Sequence, residues 1–202
     1  MKSVMGVIKK LRPAITLFIL LTLITGVIYP LLVTGVGRLF FPDKVDGSFI
    51  IRNDKIIGSA LIGQNFTDPK YFWGRPSATV DYPYNASASG GSNLGPLNPA
   101  LIEQVKQRIH ILQQYPHPTS SSFKSVPVDL VTASASGIDP HISPAAAFYQ
   151  ILRVAAARGV SQEKLRELVQ AHIQNNFYNL FTTPVVNVLL LNIAVDELDK
   201  TL

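Results

Sequence analysis

Cysteine is absent from all 202 residues. Disulfide staples, thiolate metal sites and cysteine nucleophiles are thereby excluded. No acidic residue precedes Asp43, whereas Lys2, Lys9, Lys10 and Arg12 already stand before it. The chain holds 18 Lys and Arg against 13 Asp and Glu, so once those four are set aside the remainder is nearly neutral. A basic flank beside an apolar run points to a membrane, and no nucleic-acid partner is expected. Also missing are the phosphate-cradling Walker loop, the H-E-x-x-H pair and the G-x-S-x-G elbow. The histidines at 110, 117, 141 and 172 lack metal-ligand spacing, so no metal site is expected and His117 and His172 read as structural.

What is present begins with an uncharged run, Ala14 to Val36. At about 1.5 Å per residue a helix of this length covers roughly 35 Å, enough for a hydrocarbon core of about 30 Å. Ile15, Phe18, Leu21, Ile24, Ile28, Tyr29 and Leu32 are its expected anchor residues, with Gly26 and Pro30 tolerable inside it. A cleaved signal peptide would have an apolar region of about 7–15 residues and a small-residue cleavage site. Here the run is longer and VGRLFFP follows it. The positive-inside rule puts the basic N-terminus, 1–13, in the cytoplasm, the helix at 14–36 across the cell membrane, and residues 37–202 outside.

In the remainder, two short isoleucine runs flank Asn53-Asp54 and predict a β-hairpin between Asp46 and Ile62. The glycine- and proline-rich stretch after it carries Phe66, Tyr71, Phe72, Trp73, Tyr82 and Tyr84, too many aromatics for a disordered linker. It reads as an ordered, packed loop. Asn98 and Pro99 start a helix with an apolar stripe at Leu101, Ile102, Val105, Ile109 and Leu112. Alternation in Val126 to Val131 predicts a strand. Ser143-Pro144 opens a helix that stops at Gly159, and Ser161 caps another, QEKLRELVQAHIQNN, whose face carries Leu165, Leu168, Val169, His172 and Ile173. The last apolar segment, VVNVLLLNIAVDEL, reads as helical against its β-branched content. The expected fold class is α+β: a single N-terminal transmembrane helix, then one mixed, mainly helical soluble domain with a small β-sheet.

Two stretches carry candidate chemistry. TASASGIDPHISP, Thr132 to Pro144, has the residue types of a hydrolase site in Asp139, His141 and Ser143. A triad normally gathers its members from separate segments, so crowding in one turn favours a stiff helix-start corner built on Gly137, Pro140 and Pro144. SASGGSNLGP can form an amide nest for phosphate at Ser89, Gly90, Gly91, Ser92 and Asn93, or simply be a turn-rich loop. A secreted hydrolase using His141 and Asp139, and a nucleotide-binding chaperone using the SGGS loop, both stay open on residues alone.

The chain resembles the KdpC family, a component of the potassium-transporting Kdp ATPase of bacteria and archaea. The strings that carry the resemblance are GSALIGQNF, YFWGRPSA, SGGSNLGP, VPVDLVTASASGIDPHISPAAA, RVAAARG and VNVLLLN, which together run through nearly the whole chain. It departs from the family's pattern at Ala135, where glycine is usual, at Ile138, where leucine is usual, and at Phe181-Thr182-Thr183-Pro184, where a glycine-glutamate-proline run is usual. The resemblance implies an accessory subunit of an ATP-driven potassium uptake complex, with no catalytic residues of its own. Its partners would be the channel-like, potassium-binding KdpA, the ATP-hydrolysing P-type KdpB, the small KdpF and the lipid bilayer. It implies roles in assembling and stabilising the complex and in raising the ATP affinity of KdpB as a catalytic chaperone. No recognisable motif binds a cofactor here; ATP is implied only through that family role. With the soluble part outside, the effect on ATP would pass through the membrane helices. Asp139, His141, Ser143 and Ser89–Asn93 are then candidate partner contacts.

Overall fold

A computed structural model describes residues 2–117, 125–174 and 183–198. The chain divides into two compact units, Met1–Phe49 and Ile50–Leu202.

The first unit is built on helix α1, Lys2–Leu23, a π-helical turn, Ile24–Ile28, and α2, Tyr29–Phe40. Pro30 explains the wide turn. It offers no N–H to the carbonyl four residues back, and its ring crowds that carbonyl. The helix admits an extra residue instead, with the Tyr29 N–H donating to the Ile24 carbonyl. Thr25 Oγ1 donates to the Leu21 carbonyl at 2.7 Å in the turn before. Leu11–Phe40 is long and apolar enough to cross a membrane, with a mean hydropathy of 2.4 in its most apolar window. Its large apolar side chains are exposed, as in Phe18 at 71%. A short helix α3, Pro42–Val45, follows.

Strands β1, Phe49–Arg52, and β2, Lys55–Ser59, pair as the expected hairpin. Both turn residues, Asn53 and Asp54, take left-handed backbone angles (φ 50° and 58°), which a two-residue hairpin turn of this kind demands and which Asn and Asp tolerate.

The core of the second unit lies between helices α5, Pro144–Arg158, α6, Gln162–Ala171, and α7, Val188–Leu198, and a three-stranded sheet. That sheet has the order β3 (His141–Ile142), β5 (Val185–Asn187), β4 (Ile173–Gln174), with β5 antiparallel to both neighbours. Ile142 and Ile173 both oppose Val186, which is fully buried. Helix α4, Pro99–Gln113, joins the core through Leu112, Val105 and Ile109, while Ile102 stays 46% exposed. The expected caps form: Asn98, Ser143 and Ser161 each accept from a backbone N–H of the first turn. Gly159 closes α5 in the left-handed region.

Three sequence expectations give way. Val126–Val131 is not a strand; it holds a 3-10 turn, Val128–Leu130. Both the N–H and the hydroxyl of Thr132 donate to the Val128 carbonyl, and Leu130 and Val131 are buried side by side, which alternation forbids. Helix α6 ends at Ala171, because Ile173 and Gln174 pair with β5 instead of continuing the helix. In the last segment, Val185–Asn187 is a strand between two neighbours, and helix begins only at Val188 with Asn187 Oδ1 accepting from Leu190 N. Of the departing loop, Phe181 and Thr182 lie outside the described residues.

Candidate functional site

The aromatic loop has little regular structure, yet Phe72 is fully buried. Side-chain amides do for it what a neighbouring strand would do. The Phe72 N–H donates to Asn192 Oδ1 (2.8 Å) and its carbonyl accepts from Asn192 Nδ2 (2.9 Å). One residue on, the Trp73 N–H donates to Gln150 Oε1 (2.8 Å) and its carbonyl accepts from Gln150 Nε2 (3.1 Å). Asn and Gln each carry a donor and an acceptor side by side, which is what a lone peptide group needs.

Arg153 completes this anchor. It is 3% exposed, donates to the carbonyls of Pro69 (2.6 Å) and Tyr71 (2.9 Å) and to Gln150 Oε1 (2.6 Å), and lies 3.8 Å from the Trp73 ring centroid. Burial brings its pKa down to about 10, while Tyr115 and Asp68 work in the opposite direction. It therefore stays charged at neutral pH.

The two stretches singled out in the sequence meet. The Ser136 carbonyl accepts from both Gly90 N and Ser89 Oγ, each at 2.9 Å. Gly137 has φ 69°, and a Cβ there would stand 2.6 Å from the Gly90 carbonyl oxygen and 2.6 Å from Thr79 Cγ2. Gly91 lies as close to Ala135, where a Cβ would meet the carbonyl oxygen at 2.9 Å. Glycine at these positions lets two backbones touch. Ser92 is half-buried beyond the contact, and Asn93 is exposed with φ 52°.

From the other side the aromatic loop closes over the corner. Ser77 Oγ donates to the Gly137 carbonyl (2.7 Å) and accepts from Tyr84 N (2.9 Å). The Tyr84 hydroxyl donates to the Arg75 carbonyl (2.6 Å). Burial, with the charge of Asp139 adding and that of Arg75 opposing, pushes Tyr84 up to about 12. Arg75 reaches Asp139 Oδ2 at 3.3 Å and the Ala133 carbonyl at 3.3 Å.

Asp139 also accepts from the His141 backbone N–H (3.0 Å) and faces His141 Nδ1 at 3.4 Å. Burial works against its charge, but the His141 hydrogen bonds and the Arg75 charge outweigh it and hold the carboxyl below its ordinary 3.8. A depressed folded pKa contributes stability that is full above the unfolded value and is lost as pH falls through the folded one. Asp139→Asn is accordingly expected to flatten the acid side of the stability curve below about pH 4. Urea midpoints measured between pH 3 and 6 check this.

Ser143 belongs to a different group. Its N–H and hydroxyl both bond to Asp129 (2.6 and 3.2 Å), and its oxygen accepts from Ala146 N (3.1 Å). The hydroxyl is thus committed to Asp129 and the α5 cap, while the His141 ring turns to Asp139. His117 Nδ1 and His172 Nδ1 sit 2.8 Å from the carbonyls of Tyr115 and Leu168. Among the described residues no group of His, Asp and Glu could hold a metal ion.

Sequence reasoning missed Arg75, Asp129, Gln150, Arg153 and Asn192. A signal existed for three of them: Gln150, Arg153 and Asn192 interrupt otherwise apolar helix faces, where a polar residue needs a buried partner.

Over residues 11–197 the sequence matches the family described as KdpC, the c chain of K+-transporting ATPase. The chain belongs to the KdpC family. Relatives include the potassium-transporting ATPase KdpC subunits of Polaromonas naphthalenivorans (59% identical, 93% of this chain and 94% of the relative) and Dechloromonas aromatica (55%, 94% and 98%). That of Polynucleobacter asymbioticus is 55% identical over 97% of this chain and 99% of its own length. Membership in a transporter-subunit family and an apolar helix at Leu11–Phe40 together suggest membrane association.

Proposed function

We propose that this KdpC chain is a non-catalytic, membrane-anchored subunit of the ATP-driven potassium uptake complex, with its N-terminus cytoplasmic and residues 37–202 outside. It assembles and stabilises KdpA, KdpB and KdpF, and raises the ATP affinity of KdpB by coupling through the membrane helices. The observation that supports this reading best is the junction of the corner with the SGGS loop. The hydrolase-like residue types are committed to internal bonds, yet Asp139 and His141 keep side chains about a third exposed (28% and 33%). A locked backbone presenting such polar groups suits partner contact. Direct nucleotide capture by Ser89–Asn93 is less well supported, since the Gly90 N–H is already bonded to Ser136.

Protease added outside spheroplasts is expected to trim the soluble unit, and full protection would overturn the orientation. Joint replacement, Asp139→Asn with His141→Ala, is expected to lower the yield of co-purified complex several-fold or to raise the potassium concentration for half-maximal ATPase activity. Wild-type values in both assays would remove these residues from the contact.

A further inference from the structure

Between α4 and the aromatic loop lies a cleft of about 400 Å³. That is within the usual range for small-molecule sites, roughly 300–1,000 Å³. Its walls include Phe66, Trp73, Tyr84 and Tyr115, and its polar groups include Arg75 and Arg108. Trp73 and Tyr115 stand edge to face, 5.6 Å apart at 87°, so the apolar wall is rigid. Among the described residues no Asp or Glu lines the cleft.

The two arginines differ. Arg75 is matched by Asp139, whereas Arg108 donates to neutral oxygens: the Val131 carbonyl (2.8 Å) and Gln104 Oε1 (3.4 Å). Burial already lowers its pKa, the mark of a guanidinium short of counter-charge. Behind Trp73 the buried Arg153 adds a further positive charge. A half-buried cation beside an aromatic wall, with no carboxylate among the described lining residues, is complementary to an oxyanion attached to an apolar body.

We propose that this cleft binds a small organic anion, a carboxylate or phosphate monoester carried on a flat apolar group, with Arg108 holding the oxyanion and Trp73 and Tyr115 the apolar part. The cleft shares Arg75, Ser77 and Tyr84 with the loop that closes over the corner, but the proposal rests on Arg108, Trp73 and Tyr115 and does not depend on the partner-contact reading above.

The test uses the purified full-length chain in zwitterionic nanodiscs and follows the fluorine-19 line of 4-fluorobenzoate, with empty nanodiscs as the blank. The protein is expected to broaden the line of 4-fluorobenzoate or of 4-fluorophenyl phosphate, and not that of neutral 4-fluorobenzyl alcohol. Arg108→Gln is expected to weaken binding about tenfold, as loss of one charge-assisted hydrogen bond would. Ile111 lines the cleft and is 47% exposed, so Ile111→Glu adds a repelling charge without disturbing the core. It is expected to abolish broadening while the chain still unfolds at the same urea concentration. Displacement by dihexanoyl phosphatidic acid would support a lipid source for the anion; retention of the probe would support a free solute. Equal broadening of the neutral alcohol, no broadening by either anion, or unchanged binding in Ile111→Glu would overturn the proposal.

Discussion

Arg153→Ala is expected to cost the second unit about 3–5 kcal/mol, the range seen when a large buried side chain is truncated, with lost hydrogen bonds adding to the cavity. The substitution takes away a cation that donates to Pro69, Tyr71 and Gln150 and packs on the Trp73 ring. Three acceptors, the buried Gln150 oxygen and the part-buried carbonyls of Pro69 and Tyr71, lose this donor, and the space of a long side chain is left empty beneath the loop. Arg153→Met restores most of the volume without the hydrogen bonds, so it is expected to recover less than half of the loss. Trp73 is the only tryptophan in the chain. Urea unfolding followed by its fluorescence therefore reports on the anchored segment itself. A loss below about 1 kcal/mol for the alanine variant would mean that the carbonyls are served by water, and that the anchor is a surface feature.

Gly137→Ala is expected to be the second most damaging change, at about 2–4 kcal/mol. Part is the cost of a left-handed backbone for a residue with a Cβ, roughly 1–2 kcal/mol. The rest is overlap, because the new atom would sit 2.6 Å from the Gly90 carbonyl oxygen and 2.6 Å from Thr79 Cγ2, with no flexible side-chain end to yield at the first. Gly90→Ala is the matched control in the same junction. No described atom lies within 4 Å of its added Cβ and its φ is outside the positive range, so its effect should stay within about 0.5 kcal/mol. The same paired variants, carried into co-purification of the complex, ask whether the junction matters to partners beyond folding. Equal stability of the two variants would show that the loops separate readily.

Local signals in the sequence located what is local in the structure. Asn98, Ser143 and Ser161 cap helices where their side chains predict, and Asn53-Asp54 turns the hairpin, because cap and turn chemistry act within two or three residues. Misread segments were those decided from afar. Val185–Asn187 becomes a strand through partners at His141–Ile142 and Ile173–Gln174, which no window around it reveals. Asp129 looks like the polar phase of an alternating strand until Ser143, 14 residues on, takes its carboxylate. The candidate site was half legible. Its two loops were identified by composition, but their junction rests on Gly90 meeting Ser136, and the Phe72 anchor spans 120 residues to Asn192. Separations of that size leave no trace in periodicity.

The widened turn at Ile24–Ile28 alters how the apolar helix can be approached from the side. One extra residue advances the azimuth of everything after it by about 100°. A row of side chains running up Ala14–Leu23 at ordinary spacing does not continue into Tyr29–Phe40; it reappears about a quarter-turn round the cylinder. A straight neighbouring helix lying along the rod would meet one row of side chains on Ala14–Leu23 and a different row on Tyr29–Phe40. Pro30, by forcing the wide turn, sets the offset between those two rows.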